Sequence, residues 1–158
     1  MDPLTALGAV STVLTIVDKV ANQIDRFIHK KPEPPVEKPH AVLAKKEGDA
    51  IVVRREGQVI QKITAADIAK LDDNSQRLIK ALEDSMQKNF DLWTAVYPQR
   101  DTSPDPVRNA QVDAQLNGIA KKMCSDLSKI FKYLKSIGAE LEDHYAHVRF
   151  VCDELGYN

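Results

Sequence analysis

The chain has few of the residues that mark specialised protein classes. Its 158 residues include two cysteines, six glycines and 6% aromatic residues, and 22 basic side chains nearly cancel 23 acidic ones. Two cysteines are too few for a disulfide scaffold, and a net charge of −1 creates no field to attract nucleic acid. The low glycine content argues against a glycine-rich nucleotide-binding loop. We therefore expect a small, mainly helical, soluble protein with no nucleic-acid partner.

Long hydrophobic runs are also missing. The longest stretch without a charged residue, residues 3–17, has 15 positions, whereas a helix needs about 20 apolar residues to cross a bilayer. Met1-Asp2 lacks the basic residues that open a secretory signal peptide. We expect no spanning segment and no cleavable signal, and therefore a cytoplasmic protein.

No residue pattern indicates catalysis, a metal or a cofactor. Cys124 and Cys152 lie within helical patterns, where we expect buried thiols in a reducing compartment. Glu140, His144 and His147 place two ligands on one helix face, with Cys152 as a distant third, and zinc requires three or four. The chain carries neither a Gly-x-Ser-x-Gly motif nor a glycine-rich phosphate loop. We expect no enzymatic activity.

A proline-rich segment divides the chain. Four of the eight prolines lie within residues 31–39, and their restricted backbone predicts an extended, semi-rigid linker over 30–40. The linker separates an N-terminal helix (1–29) from a β-hairpin (41–63) and a helical region (64–158). The predicted fold is mainly α: an antiparallel helical bundle with a small β-hairpin and a separate N-terminal amphipathic helix.

The N-terminal helix carries a wide apolar stripe. Apolar residues recur at a spacing of three and four from position 3 to position 28. Asp2 suits the N-cap and Pro3 the first helical position. Burying about ten aliphatic side chains stabilises by about 1.5–3 kcal/mol each. The stripe therefore needs an apolar partner: its own bundle, a second copy of the chain or lipid.

The remaining elements follow from turn and capping signals. Two β-branched segments flank Glu56-Gly57 and predict a hairpin, to which residues 41–44 could add a third strand. Helices are predicted from Thr64 to about Leu71, from about Asp73 to Tyr97, and from Pro106 onward. The apolar stripe of the last helix continues in phase through Gly138. Either one helix of some 50 residues or a break at Gly138 is possible, and a glycine cap favours the break.

The first seventeen residues, from Met1-Asp2-Pro3-Leu4 through a series of small and aliphatic residues to Val17, resemble the start of the fungal HeLo and HeLo-like domains. The resemblance covers about the first 17–28 residues. It implies that the first helix is an effector, held in a helical bundle and released on oligomerisation to attack membranes during regulated cell death.

We therefore expect a non-enzymatic, oligomerising module of defence or cell death, with the stripe covered by something outside its own subunit and peripheral membrane contact on activation. A soluble protein–protein adaptor with a structural first helix is the alternative. The predicted membrane or self-association residues are Leu4, Leu7, Val10, Val13, Leu14, Ile16, Val17, Val20, Ile24, Phe27 and Ile28. Headgroup contacts are predicted for Lys30, Lys31, Lys38, Lys45 and Lys46, since each basic residue near an anionic surface contributes about 1 kcal/mol. The expected partners are a second copy, membrane lipid or another protein.

Overall fold

The predicted N-terminal helix is α1, Pro3–Ile28, in a computed structural model that describes residues 1–36 and 42–156, apart from the side chains of Glu142 and Asp143. It begins where the capping signal placed it, because the Asp2 carboxylate accepts a hydrogen bond from the Leu4 amide at 3.0 Å and Pro3 occupies the first turn. Its C-cap is His29, and Lys30 follows in a left-handed conformation.

A three-stranded antiparallel sheet follows the linker, in the order β1 (Val42–Glu47), β2 (Ala50–Arg55) and β3 (Gln58–Thr64). Both turns contain a glycine with positive φ, Gly48 at 64° and Gly57 at 84°, which other residues rarely adopt. The hairpin is therefore confirmed, and the third strand that the sequence left open is present. One face of the sheet is buried against α1 by Val42, Ala44, Ile51, Val53 and Ile63.

Helices account for 66% of the chain, which confirms a mainly α fold. The helices after the sheet are α2 (Ala65–Ile68), α3 (Asp73–Val96), α4 (Pro106–Ser136), α5 (Leu141–His144) and α6 (Ala146–Glu154), with a 3-10 turn over Tyr97–Gln99. Thr64 and Asp67 form the predicted capping box of α2, and Asp105 caps α4 through the Val107 amide.

α3 runs parallel to α1 and antiparallel to α4. The amino group of Met1 pairs with Asp73 at the start of α3, and Gln23 near the end of α1 accepts a hydrogen bond from Trp93. Halfway along α3, the Ser85 hydroxyl donates to Asp126 of α4. Both α1 and α4 therefore pack along the full length of α3.

The chain breaks at Gly138, and the single long helix is excluded. Gly138 has φ of 87°, and the Ala139 amide returns to the Leu134 carbonyl at 2.9 Å, as in a Schellman-type cap. The break lets α5 and α6 fold back toward α1, and Leu141, Tyr145, Val148 and Val151 are buried there.

The expectation of two free thiols is wrong. Cys124 of α4 and Cys152 of α6 form a disulfide with a Cα–Cα distance of 5.5 Å. The reversal at Gly138 brings the two residues together, although they are 28 positions apart on what the sequence allowed to be one helix. Cys152 therefore has no free thiolate and cannot act as a third metal ligand beside Glu140, His144 and His147.

Breaking this disulfide should lower stability substantially. A cross-link that closes a loop of 28 residues restricts the unfolded chain and stabilises the fold by about 3–4 kcal/mol. We expect the C124S/C152S double variant to lose about this much free energy of unfolding in urea titrations.

Reductant should destabilise the wild type in the same way and leave the double variant unchanged. Coincident unfolding midpoints for the oxidised wild type and the double variant would show that the pair adds nothing to stability.

Candidate functional site

The apolar stripe of α1 is enclosed by the chain itself. Eight of the eleven residues predicted for membrane or self-association contact are at most 5% exposed: Leu7, Val10, Val13, Leu14, Ile16, Val17, Val20 and Ile24. Phe27 and Ile28 are partly buried at the edge of the same core, and Leu4 remains 45% exposed. The expectation that something outside the subunit covers this stripe is therefore wrong for the structure described here. Contact of these residues with lipid or a second copy stays a prediction about another state.

Three groups of elements cover α1. α3 lies along one side, where Trp93 packs edge-on against Phe27 with ring centroids 5.9 Å apart and Lys19 lies 5.8 Å from the centre of the Phe90 ring. The sheet and α2, the short helix that follows it, also pack against α1 and form the second group. α6 and the middle of α4 form the third group, in which the Cys124–Cys152 disulfide lies against Val17, Val20, Ala21 and Ile24. No single neighbour encloses the stripe, which explains why helical periodicity alone did not identify its partner.

Polar contacts fasten the C-terminal end of α1 to α3. The Trp93 indole Nε1 donates to the Gln23 side-chain oxygen at 2.8 Å. Beyond the helix, the Glu33 carboxylate pairs with Arg26 and Arg100, each at 3.3 Å, and accepts a hydrogen bond from the Tyr97 hydroxyl. The first part of the proline-rich linker is therefore held against the end of α3 through one carboxylate.

His29 links the end of α1 to α6. Its Nδ1 lies 2.8 Å from Asp25 Oδ1, its Nε2 lies 2.6 Å from Glu154 Oε2, and its ring stacks on Phe150 at 6.5 Å. The hydrogen bond to Asp25 is the main cause that raises the pKa of His29, and the nearby Glu154 charge adds to it. The contact therefore strengthens as the imidazole takes up a proton.

Asp18 is the acidic residue of α1 that faces the interior. It accepts a backbone hydrogen bond from Ala44 of β1 and lies near the buried Tyr145. Burial raises the pKa of Asp18 to about 7, and the Ala44 hydrogen bond opposes part of this shift. Burial, with a contribution from the Asp18 charge, also raises the pKa of Tyr145.

The lysines predicted to touch headgroups do not form one patch. Lys30 and Lys31 lie beyond the C-terminal end of α1, whereas Lys46 Nζ lies 4.0 Å from the position that a Cβ atom would take at Gly8. Gly8 and Lys30 are 22 residues apart, or about 33 Å at the helical rise of 1.5 Å per residue. Lys45 is exposed on the opposite face of β1, and Lys38 lies outside the described residues.

A cleft of about 750 Å³ opens at the C-terminal end of α1, next to the linker, α4 and the end of α6. Its charged lining is balanced, with three basic and three acidic residues: Lys30, Lys31, Arg100, Asp101, Asp113 and Glu154. Lys31 and Arg100 are already paired with Asp25 and Glu33. The cleft therefore favours neither an anionic nor a cationic ligand.

Sequence reasoning missed the residues that hold α1 in place. The sequence places Glu33 in the proline-rich linker and His29 at the end of the N-terminal helix, and it predicted no partner within the chain for either residue. A contact between residues 33 and 97 or between 29 and 154 leaves no periodic signal, because it depends on how separate elements pack.

The buried carboxyl of Asp18 should make stability depend on pH. The folded state binds the Asp18 proton more tightly than the unfolded chain, so the wild type should lose stability as the pH rises from about 4 to about 7. The D18N variant has no charge to bury and keeps an acceptor for the Ala44 amide. We expect the variant to melt close to the wild type at pH 4 and at a higher temperature at pH 8.

D25N is a matched control, for which the pH dependence of stability should have the opposite sign. Partial burial tends to raise the pKa of Asp25, but hydrogen bonds from His29 and Lys31 outweigh it and lower the pKa. D25N should be less stable than the wild type at pH 8 and approach it as the pH falls. If D18N were the less stable protein at pH 8, the inferred cost of burying this charge would be wrong.

No protein-family model, no curated protein and no solved structure matches this chain.

Proposed function

We propose that the chain is a non-enzymatic module that stores an apolar helix in its core and acts when that helix is released, by assembly with other copies and contact with a membrane. One observation carries the proposal. Contrary to the expectation that no segment could span a membrane, α1 is, within the described residues, long and apolar enough to cross a bilayer. It is also the helix on which α3, the sheet and α6 pack. A buried core helix passes the same length and composition test, so the proposal depends on release.

The energetics restrict where release can occur. Exposing about ten aliphatic side chains to water costs about 1.5–3 kcal/mol for each, which exceeds the total stability of most single domains. α1 therefore leaves the core only when another apolar environment receives the stripe. A bilayer or the same stripe of neighbouring copies would meet this requirement.

The connection of α1 to the rest of the chain suits such a movement. One linker joins α1 to the sheet, and its described part is held at the end of α3 by Glu33. In this proposal α3, α4 and α6 act as an antiparallel bundle that encloses α1 at rest. The resemblance of the first residues to HeLo and HeLo-like domains supports a role in defence or regulated cell death.

The disulfide bears on the proposed location. Reducing compartments keep cysteine pairs as thiols, so in the cytoplasm α6 would be held over α1 by packing and by the His29–Glu154 contact. A cytoplasmic module that reaches membranes on activation would then lack its covalent link. Oxidation would favour the enclosed state.

A soluble adaptor is the second candidate, favoured by the near-complete burial of the stripe. Leu7, Val10, Val13 and Leu14 have no measurable exposure, so one copy of the chain needs no partner to cover them. In this alternative α1 is permanently structural and the outer surfaces bind another protein. Deleting residues 1–30 would then unfold the protein without any lipid-dependent effect.

Locking α1 onto α3 should abolish membrane activity. Lys19 lies over Phe90, so K19C and F90C joined by a short bis-maleimide would tie the helices together outside the buried stripe. We expect the unlinked protein to release dye from vesicles that contain anionic lipid, and the cross-linked protein to release only background amounts.

K80C/D84C, joined in the same way, is the matched control because both residues belong to α3 and leave α1 unrestrained. Equal leakage from the α1-linked protein and this control would show that α1 need not leave the core, and the adaptor would then be the better explanation.

A further inference from the structure

We infer that the outer face of the β-sheet is a docking surface for an anionic lipid bilayer. The outer face is the side of the sheet opposite α1, and its two main rows are Leu43, Lys45, Val52, Arg54, Val59 and Lys62. Glu47, paired with Ala50, lies at the end of the same face. The inference goes beyond the proposed release of α1, because docking through this face requires no movement of that helix.

The strand register places these side chains in two rows. Leu43 pairs with Arg54, which pairs with Val59, and Lys45 pairs with Val52, which pairs with Lys62. Residues directly opposite each other in an antiparallel sheet project to the same side, and alternate residues of a strand share a face. The outer face is therefore a checkerboard of aliphatic and cationic groups.

Two of the three aliphatic members are exposed, whereas Val52, between Lys45 and Lys62, is 7% exposed. Leu43 is 47% exposed and Val59 is 56% exposed. They stand at the two edges of one row, with Arg54 between them. An approaching surface would meet two aliphatic groups that are not committed to the core.

Three cationic side chains, Lys45, Arg54 and Lys62, outnumber the acidic Glu47 and give this face a net positive charge. Arg54 pairs with Glu47 at 2.8 Å, whereas Lys45 and Lys62 have no acidic group within ion-pair distance in the part of the chain that the structure describes. The acidic balance of residues 64–158, with fifteen acidic and twelve basic groups, makes the sheet the cationic part of the folded body. Charge complementarity therefore favours an anionic partner.

Size and composition favour a bilayer over an acidic protein. Three strands about 4.8 Å apart and six residues long present about 300 Å², whereas a stable protein interface buries about 800 Å² on each partner. The face has no aromatic residue and two lysines, while protein interfaces are enriched in aromatics and depleted in lysine. A headgroup layer accepts mobile lysines and shallow aliphatic groups without a shaped pocket.

Vesicle binding by the α1-linked protein tests the inference. Cross-linking residues 19 and 90 keeps α1 enclosed, so that binding and helix release are scored separately. We expect flotation with phosphatidylcholine vesicles that contain about 30% phosphatidylserine, and none with phosphatidylcholine alone. Each lysine near an anionic surface contributes about fivefold to the binding affinity. Because K45E/K62E changes two lysines, it should weaken binding at least about 25-fold.

The control is K129E/K132E, which makes the same change in net charge at exposed positions of α4 and should bind as the unmodified protein does. L43S/V59S should also weaken binding, and the loss should persist when about 0.5 M NaCl screens the charges. K45Q/K62Q removes both positive charges without adding negative ones, so it is a milder change than K45E/K62E. Its melting temperature checks that the variant is folded.

Equal losses for the sheet and α4 variants would overturn the docking surface, since net charge would then account for binding. Unchanged vesicle binding by K45E/K62E would also overturn it and would leave an acidic protein as the occupant. Normal docking combined with leakage from the cross-linked protein would contradict the proposed function and leave the docking surface standing.

Discussion

Burial of the α1 stripe is the constraint on which the rest of the structure depends. A helix whose apolar side spans well over a third of its circumference cannot be covered by one neighbour, and here α3, the sheet with α2, and α6 each cover part of it. The inner face of the sheet, Trp93 and the disulfide are all positioned by contact with this one helix. A three-stranded sheet of this size gains little stability alone, so its order also depends on α1.

Polar contacts hold the C-terminal end of α1 against its neighbours. Glu33 holds the linker to the end of α3, and His29 holds α1 to α6. The disulfide adds a covalent link between α4 and α6 over Val17, Val20, Ala21 and Ile24 of α1. The His29 contact responds to protonation and the disulfide responds to redox state, whereas the aliphatic contacts of α1 respond to neither. The two kinds of contact together make the enclosed state stable and still sensitive to conditions.

Local signals in the sequence predicted the elements well. Asp2-Pro3, Thr64 with Asp67, and Asp105-Pro106 each began a helix at the expected position, because a cap involves residues that are close in the chain. The left-handed glycines at positions 57 and 138 marked a turn and a helix end for the same reason. The packing partners of α1 could not be predicted from local signals, because the same apolar stripe suits a helical bundle, a second copy of the chain or lipid. The pairing of Cys124 with Cys152 depended on where the chain reverses after Gly138, and the role of Glu33 depended on the position of Tyr97.

Enclosure of α1 within a single copy of the chain can be tested directly by hydrogen exchange of the lipid-free monomer. If the apolar stripe is buried within one copy of the chain, the amides of residues 10–24 should be among the slowest to exchange. Their exchange rates should match those of the buried centre of α3, because both segments open only on global unfolding. Exchange of residues 10–24 that is much faster than that of α3 would contradict an enclosed helix. Protection that appears only when the protein self-associates would contradict it as well.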